Sequence, residues 1–349
     1  MYRETIANIY LDNIKYNVES IIKKYNNYKY YIGVVKADCY GHNSNETVKS
    51  IIDGGCNYLA VSSLEEALKI REDFDIPILC LGIINSKYID IALKNNIYIT
   101  VTNLDYLKEI KDYNINIHIK IDTGMNRLGV KEKEEFNSMI KLIENSNINL
   151  KGIYTHIYEA SNKEKVDKQI ETFKQITGDI DLNKIDIVHI AQSDTLINYS
   201  KIDFCNGCRL GILMYGLTNN NLNLKNTIEL VSEIIEIKQI KKGEIVSYNG
   251  TYKASEDGLI GIVSIGYADG VNRNLKGAYV YINNKKYEIV GNICMDMLMV
   301  KIDNSIKLND KVYIYKDIKH IKELSNRLNT IPYELICNIS KRVERNYIK

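Results

Sequence analysis

The stretch "YYIGVVKADCYGH" (residues 30–42) sets an apolar run, Tyr31–Val35, against Lys36, then small and polar residues, then Tyr40, Gly41 and His42. A short apolar run bounded by turn-forming residues reads as a buried strand, and this one ends on a cation. Similar runs recur down the chain: "YLAV" (58–61), "PILCL" (77–81), "IYIT" (97–100), "INIHIKI" (115–121), "LKGIYTH" (150–156), "IDIVHI" (185–190) and "RLGILMYG" (209–216). Between them lie "SLEEALKIRED" (63–73), "LDYLKEIKDY" (104–113), "KEEFNSMIKLIEN" (133–145) and "KVDKQIETFKQI" (165–176). Their apolar residues fall at the three- and four-residue spacings of amphipathic helices. Strands and helices alternating at this rhythm imply parallel β/α units. About eight units ending near residue 216 predict a closed (β/α)8 barrel of the TIM type. The rival, an open doubly wound sheet, usually carries a glycine fingerprint after its first strand. None stands here.

The texture changes at "TNNNLNLKNT" (218–227), a polar, Asn-rich segment that reads as a linker. Strand-like runs without long helices follow, with a hairpin-like turn at "INNKKY" (282–287) and one helix-like run at 318–329. The expected division is a barrel domain over 1–222 and a β-rich C-terminal domain over 223–349, with residues 1–12 lending the latter a strand. The fold class is thus α/β, a barrel followed by a mostly β domain.

The 349 residues suit one large domain and a smaller one. A formal net charge of +2, with no basic cluster, points away from nucleic acid. No apolar stretch reaches the roughly 18 residues of a membrane span. The N-terminus, "MYRETIANIYLDNIKYN", lacks the apolar core of a signal peptide. The seven scattered cysteines suit reduced thiols and a cytoplasmic location better than a disulfide framework. "CNGC" (205–208) has neither a second pair nor a His partner at finger spacing, so no metal is expected, and two free thiols in a loop is the better reading.

Chemistry on a barrel gathers at the C-terminal strand ends. Lys36 follows strand 1, Lys120 and Asp122 close strand 5 with Arg127 just after, His156 closes strand 6, "AQSD" (191–194) follows strand 7, and Arg209, Gly211 and Ile212 belong to strand 8. Each has an ordinary alternative. A lysine can snorkel, a histidine can be a hydrogen-bonded core residue, Ser193 can cap a helix, and Arg127 can pair in its loop. Their convergence on one barrel end shifts the balance. An amine near a hydroxyl and glycine-lined backbone suits an imine-forming lysine beside a phosphate site. A phosphorylated aldehyde joined to lysine is pyridoxal 5′-phosphate.

"VVKADCYGHN", "KIDTGMNRLG", "TH" (155–156), "CRLGILMYGL", "SIGYADG" and "GNICMDMLMV", in this order over essentially the whole chain, resemble the alanine racemase family. The resemblance implies a PLP-bearing barrel, a β-rich second domain and a head-to-tail homodimer with shared active sites. It gives Lys36 as the PLP lysine and one catalytic base, and Tyr267 as the opposite base, supplied by the partner copy. Tyr40, Ser193 and the backbone of Gly211 and Ile212 become phosphate contacts. Arg209 faces the pyridine nitrogen with His156 supporting it, Arg127 meets the cofactor's phenolic oxygen and the substrate carboxylate, the Met295 backbone contacts that carboxylate, and Lys120 matches a position often carbamylated. Tyr267 needs cationic neighbours to act as a base, and His156 and Arg209 are candidates. The expected activity is interconversion of L- and D-alanine, supplying D-alanine for peptidoglycan. A serine or broad-specificity racemase, a non-catalytic PLP carrier and a decarboxylase are the alternatives. Gln192 stands where the family commonly has Asn, Lys341 where some members have tyrosine, and Glu344 where proline is usual, which bears on alanine against serine.

Overall fold

In the computed structural model, residues 3–217 and 222–349 are described; Met1, Tyr2 and the first residues of the expected linker, 218–221, lie outside the described residues. Eight strands, Tyr30–Val34, Tyr58–Val61, Ile78–Cys80, Ile97–Val101, Asn116–Lys120, Asn149–Tyr154, Ile187–Gln192 and Gly207–Leu210, form a closed barrel. Closure is parallel, with Ile32 of the first strand opposite Arg209 of the last. Helices cover the outside, among them Leu64–Arg71, Leu104–Ile110, Lys133–Glu144 and Lys163–Thr177. They start where side-chain acceptors meet otherwise unpaired N–H groups: Ser63 caps Glu66, Asn103 caps Tyr106 and Asn162 caps Lys165. Lys133–Glu144 buries Phe136 and Met139, a three-residue spacing that keeps one face on the barrel.

The second sheet has eight strands. Ile6–Tyr10 pairs antiparallel with Ile228–Ile240 and parallel with Glu344–Ile348, so residues from both ends of the chain join it. Tyr279–Ile282 and Lys285–Glu288 form a hairpin whose turn residues, Asn283 and Asn284, both have positive φ (49° and 63°). That is the conformation a two-residue turn needs and Asn tolerates.

Several element edges differ from the sequence reading. The sixth barrel strand stops at Tyr154, so His156 lies beyond it. The seventh runs through Gln192, and Ser193 opens a short helix. The eighth ends at Leu210, leaving Gly211 and Ile212 in the turn that follows. Both thiols of "CNGC" are free and buried; Cys205 precedes the strand in a loop, whereas Cys208 sits within it. The helices Leu11–Lys24, Asn45–Asp53 and Pro332–Cys337 were not anticipated.

Candidate active site

Residues 36–40 coil into a turn closed by Cys39 N–H donating to Val35 O and Gly41 N–H donating to Ala37 O, both at 3.0 Å, yet Ala37, Asp38, Cys39 and Tyr40 all have φ near +50° (52°, 50°, 54° and 53°), followed by Gly41 at 79°. Left-handed backbone costs a non-glycine residue roughly 1–2 kcal/mol, so this turn must be held. Glu66 accepts from Ala37 N–H and from Ser62 N–H, both at 2.7 Å. Arg345 donates to Gly41 O at 3.3 and 3.4 Å. The turn brings both Lys36 and Tyr40 to one cavity of 610 Å³ at the barrel mouth.

Arg127, Lys120, His156, Ser193, Arg209, Gly211 and Ile212 line the same cavity. Arg127 rides on a loop shaped by Asp122, whose Oδ1 accepts from Gly124 and Asn126 N–H at 3.0 Å each. Ser193 Oγ accepts from Gly211 N–H at 3.0 Å, which leaves its own hydrogen free to donate. A Cβ at Gly211 would lie 3.2 Å from the Tyr40 hydroxyl and 3.7 Å from Ser193 Oγ, so glycine keeps a cradle open between two hydroxyls.

Arg209 is buried. Nη1 donates to His189 Nδ1 and O at 2.8 Å each, and Nη2 donates to Thr155 O at 2.8 Å and Ile190 O at 3.1 Å. His156 Nδ1 stands farther off, 3.4 Å from Nη2. The chief imidazole partner is therefore His189, which the sequence reading passed over. His189 Nε2 lies 3.0 Å from His118 Nδ1, and His118 Nε2 lies 3.2 Å from the Tyr58 hydroxyl. Arginine only donates, so His189 accepts from it and passes its N–H to His118. The only signal for this chain was strand parity, which points His118 and His189 into the barrel.

Burial and then the Arg209 charge push His156 down to about 2 and His118 down to about 3, and push His189 well below the ordinary imidazole value. His156 is thus neutral, which corrects its reading as a cationic neighbour for Tyr267; of that pair, Arg209 alone keeps the charge. Burial, then Arg127, lowers the Lys36 amine. Burial, then Arg209, brings Lys120 down to about 7. Lys120 Nζ donates to Ile121 O at 3.3 Å and lies 5.2 Å from the Tyr154 ring centre.

Among the described residues, Lys36 Nζ, the Tyr40 hydroxyl, the Arg127 guanidinium, Arg209 Nε–H and Ile212 N–H have no internal acceptor. Donors clustered this way fit an anion joined to an acceptor-bearing ring, with an amine positioned to bond it. Tyr267 and Met295 are not among the residues lining the cavity; they lie 44% and 52% exposed on the second domain. Tyr267 N–H donates to Cys294 O and Ala268 N–H to Met295 O, both at 3.0 Å, and Met295 N–H has no acceptor among the described residues. Two groups thus emerge in one chain, one at the barrel mouth and one on the other domain.

The family models described as alanine racemase, N-terminal domain, and alanine racemase, C-terminal domain, match residues 9–219 and 227–347. Alanine racemase 1 of Bacillus subtilis is 36% identical over 367 residues, covering 100% of this chain and 94% of the relative. The structure of alanine racemase from Bacillus anthracis with bound L-Ala-P superposes with a TM-score of 0.92 at 32% identity, covering 100% of this chain and 96% of that one. A histidine racemase from Leuconostoc mesenteroides, 22% identical, shares the fold with a TM-score of 0.91 over 100% of this chain and 98% of that one. With both halves matched and the relatedness spanning its whole length, the chain belongs to the alanine racemase family and is an isomerase.

Proposed function

We propose that the chain interconverts L- and D-alanine, with pyridoxal 5′-phosphate held by Lys36 and proton transfer shared between Lys36 and Tyr267 of a second copy. The observation that carries this reading is the set of unpaired donors around one cavity: Lys36, Tyr40, Arg127, Arg209 Nε and Ile212. Tyr40, Ser193 and the backbone of Gly211 and Ile212 would hold the phosphate, Arg209 Nε–H would face the pyridine nitrogen, and Arg127 would take the phenolic oxygen and the substrate carboxylate. When bound, the cofactor supplies a sink for negative charge at the substrate's Cα.

The residues do the rest. The lowered Lys36 amine is neutral closer to physiological pH than an ordinary lysine, so it can bond a carbonyl and accept a proton. One base is poorly placed to serve both faces of a planar carbon, so a second is needed opposite. One group takes the α-proton, the other returns a proton to the far face, and their roles exchange in the reverse direction. Tyr267 and Met295 sit exposed, which suits their contribution to a neighbouring barrel in a homodimer with shared active sites. Met295 N–H is a free donor for the substrate carboxylate. The site would work in the cytoplasm, supplying D-alanine for peptidoglycan, and the domain division falls near residue 222.

A broader substrate range, serine above all, is the second reading. It is favoured by Lys341, whose side chain is 93% exposed and 3.9 Å from Asp38. A tyrosine there would bring a ring to the same region. Incubating the protein with PLP and L-alanine or L-serine in deuterium oxide tests both readings. Deuterated D-alanine forming faster than D-serine supports the first, D-serine alone supports the second, and no D-enantiomer refutes both.

A further inference from the structure

Tyr267 is exposed, so packing does little to hold it; what lies beneath must fix it. The turn Tyr267–Asp269 follows Gly266, where a Cβ would fall 2.4 Å from both Cys294 O and Met295 O, so this turn and the Met295 turn touch backbone to backbone. Asp269 is fully buried, and its Oδ2 accepts from Gly266 N–H at 2.9 Å. Arg3, at the start of the chain, grips the same carboxylate at 2.6 and 3.2 Å. Arg342, near its end, pairs through Nε with Asp269 Oδ1 at 3.0 Å and through Nη2 with Asp296 Oδ1 at 2.7 Å.

Two guanidinium groups and two carboxylates therefore form a neutral network under the turn. Asp269 lies two residues after Tyr267 and Asp296 one residue after Met295, so Arg342 joins the two segments by their side chains as their backbones join directly. A lysine has one point charge and cannot present the separate Nε and Nη2 donors this bridge uses. We propose that Arg342 is a positioning residue, tying the Tyr267 turn to the Met295 turn and so setting where the Tyr267 hydroxyl meets substrate. This rests on the reading of Tyr267 as the second proton carrier.

Displacement near the reacting centre of about 1 Å costs roughly 10²-fold in rate. The test follows α-deuterium exchange and inversion separately, in deuterium oxide with PLP, for Arg342→Met, Arg342→Lys, Asp296→Asn and Tyr267→Phe. Arg342→Met is expected to lower inversion by roughly 10²-fold while exchange of one enantiomer, served from the Lys36 face, persists. Arg342→Lys and Asp296→Asn shift the same ratio less. A merely structural loss would lower exchange and inversion together, since both follow the folded fraction. In the cofactor-free protein, amide hydrogen exchange at Tyr267 and Ala268 should quicken in Arg342→Met with barrel amides unchanged. Asp296 is half exposed and leaves the Arg3–Asp269 pair intact, so its variant keeps the test valid if Arg342→Met folds poorly. Parallel loss of exchange and inversion, or an unchanged ratio in Arg342→Met and Asp296→Asn, overturns the proposal. Wild-type inversion by Tyr267→Phe removes the underlying reading as well, a result obtained without any Arg342 variant and so distinguishable from the first failure.

Discussion

Arg209 is a buried guanidinium facing neutral imidazoles, with no carboxylate among its hydrogen-bond partners in the described residues. It cannot accept a proton, so it would leave the cofactor's pyridine nitrogen unprotonated and limit side reactions. Arg209→Glu is expected to lower racemisation by about 10²-fold or more while raising transamination relative to it; an unchanged product ratio contradicts this role. Lys120 lies close to the same charge, and its amine is brought from 10.5 down to about 7. The folded chain therefore releases a proton that the unfolded chain keeps between those values. Its contribution to stability is fully present above 10.5 and is lost as pH falls toward 7. A half-neutral amine at neutral pH can bond carbon dioxide, releasing its proton to solvent and becoming an anion between Arg209 and Arg127. Labelled bicarbonate should then give a carbamate carbon resonance that strengthens as pH rises through 7 and is missing in Lys120→Met. A spectrum identical in the two proteins would remove carbamylation.

The element that aims Lys36 and Tyr40 is the left-handed turn of residues 37–41, held by Glu66 and Arg345. A glycine at Ala37 relieves backbone strain of roughly 1–2 kcal/mol but adds freedom to the unfolded chain worth about 0.4–1 kcal/mol. Ala37→Gly should therefore raise denaturation stability slightly, and Ala37→Val, β-branched where φ is +52°, should lower it. Urea unfolding of the pair checks the sign, and a Val variant as stable as wild type would mean the turn is not left-handed. The sequence displayed Lys36 at a strand end, because an apolar run stopping at a charge is a local signal. It gave no hint of the turn's hand, because "KADCY" contains no glycine to announce positive φ. The same division runs through the site. Ser193, Gly211 and Arg209 could be placed by strand counting, whereas His189, His118, Asp269 and Arg342 act through contacts between residues far apart in sequence. The strand-like runs continue past the ends of the strands, which stop at Tyr154 and Leu210 although the period does not change there.

Across the whole molecule, the barrel and the β-rich sheet were both legible, since one alternates helix and strand periods and the other does not. The join between N- and C-terminal strands that helps build the second sheet was partly legible, as a strand expected from residues 1–12. Within one chain, Tyr267 is exposed on the second domain and is not among the residues lining the cavity that Lys36 opens into. In the proposed mechanism two copies complete each other's sites. Co-expressing Lys36→Ala and Tyr267→Phe chains tests this most directly. Each variant alone is expected to be inactive, but a mixed dimer pairs an intact Lys36 barrel with an intact Tyr267 domain at one of its two sites. With random pairing, the mixture should regain about one quarter of wild-type racemisation per site. A mixture as inactive as its two parents, despite mixed dimers being present, would contradict the shared two-base site.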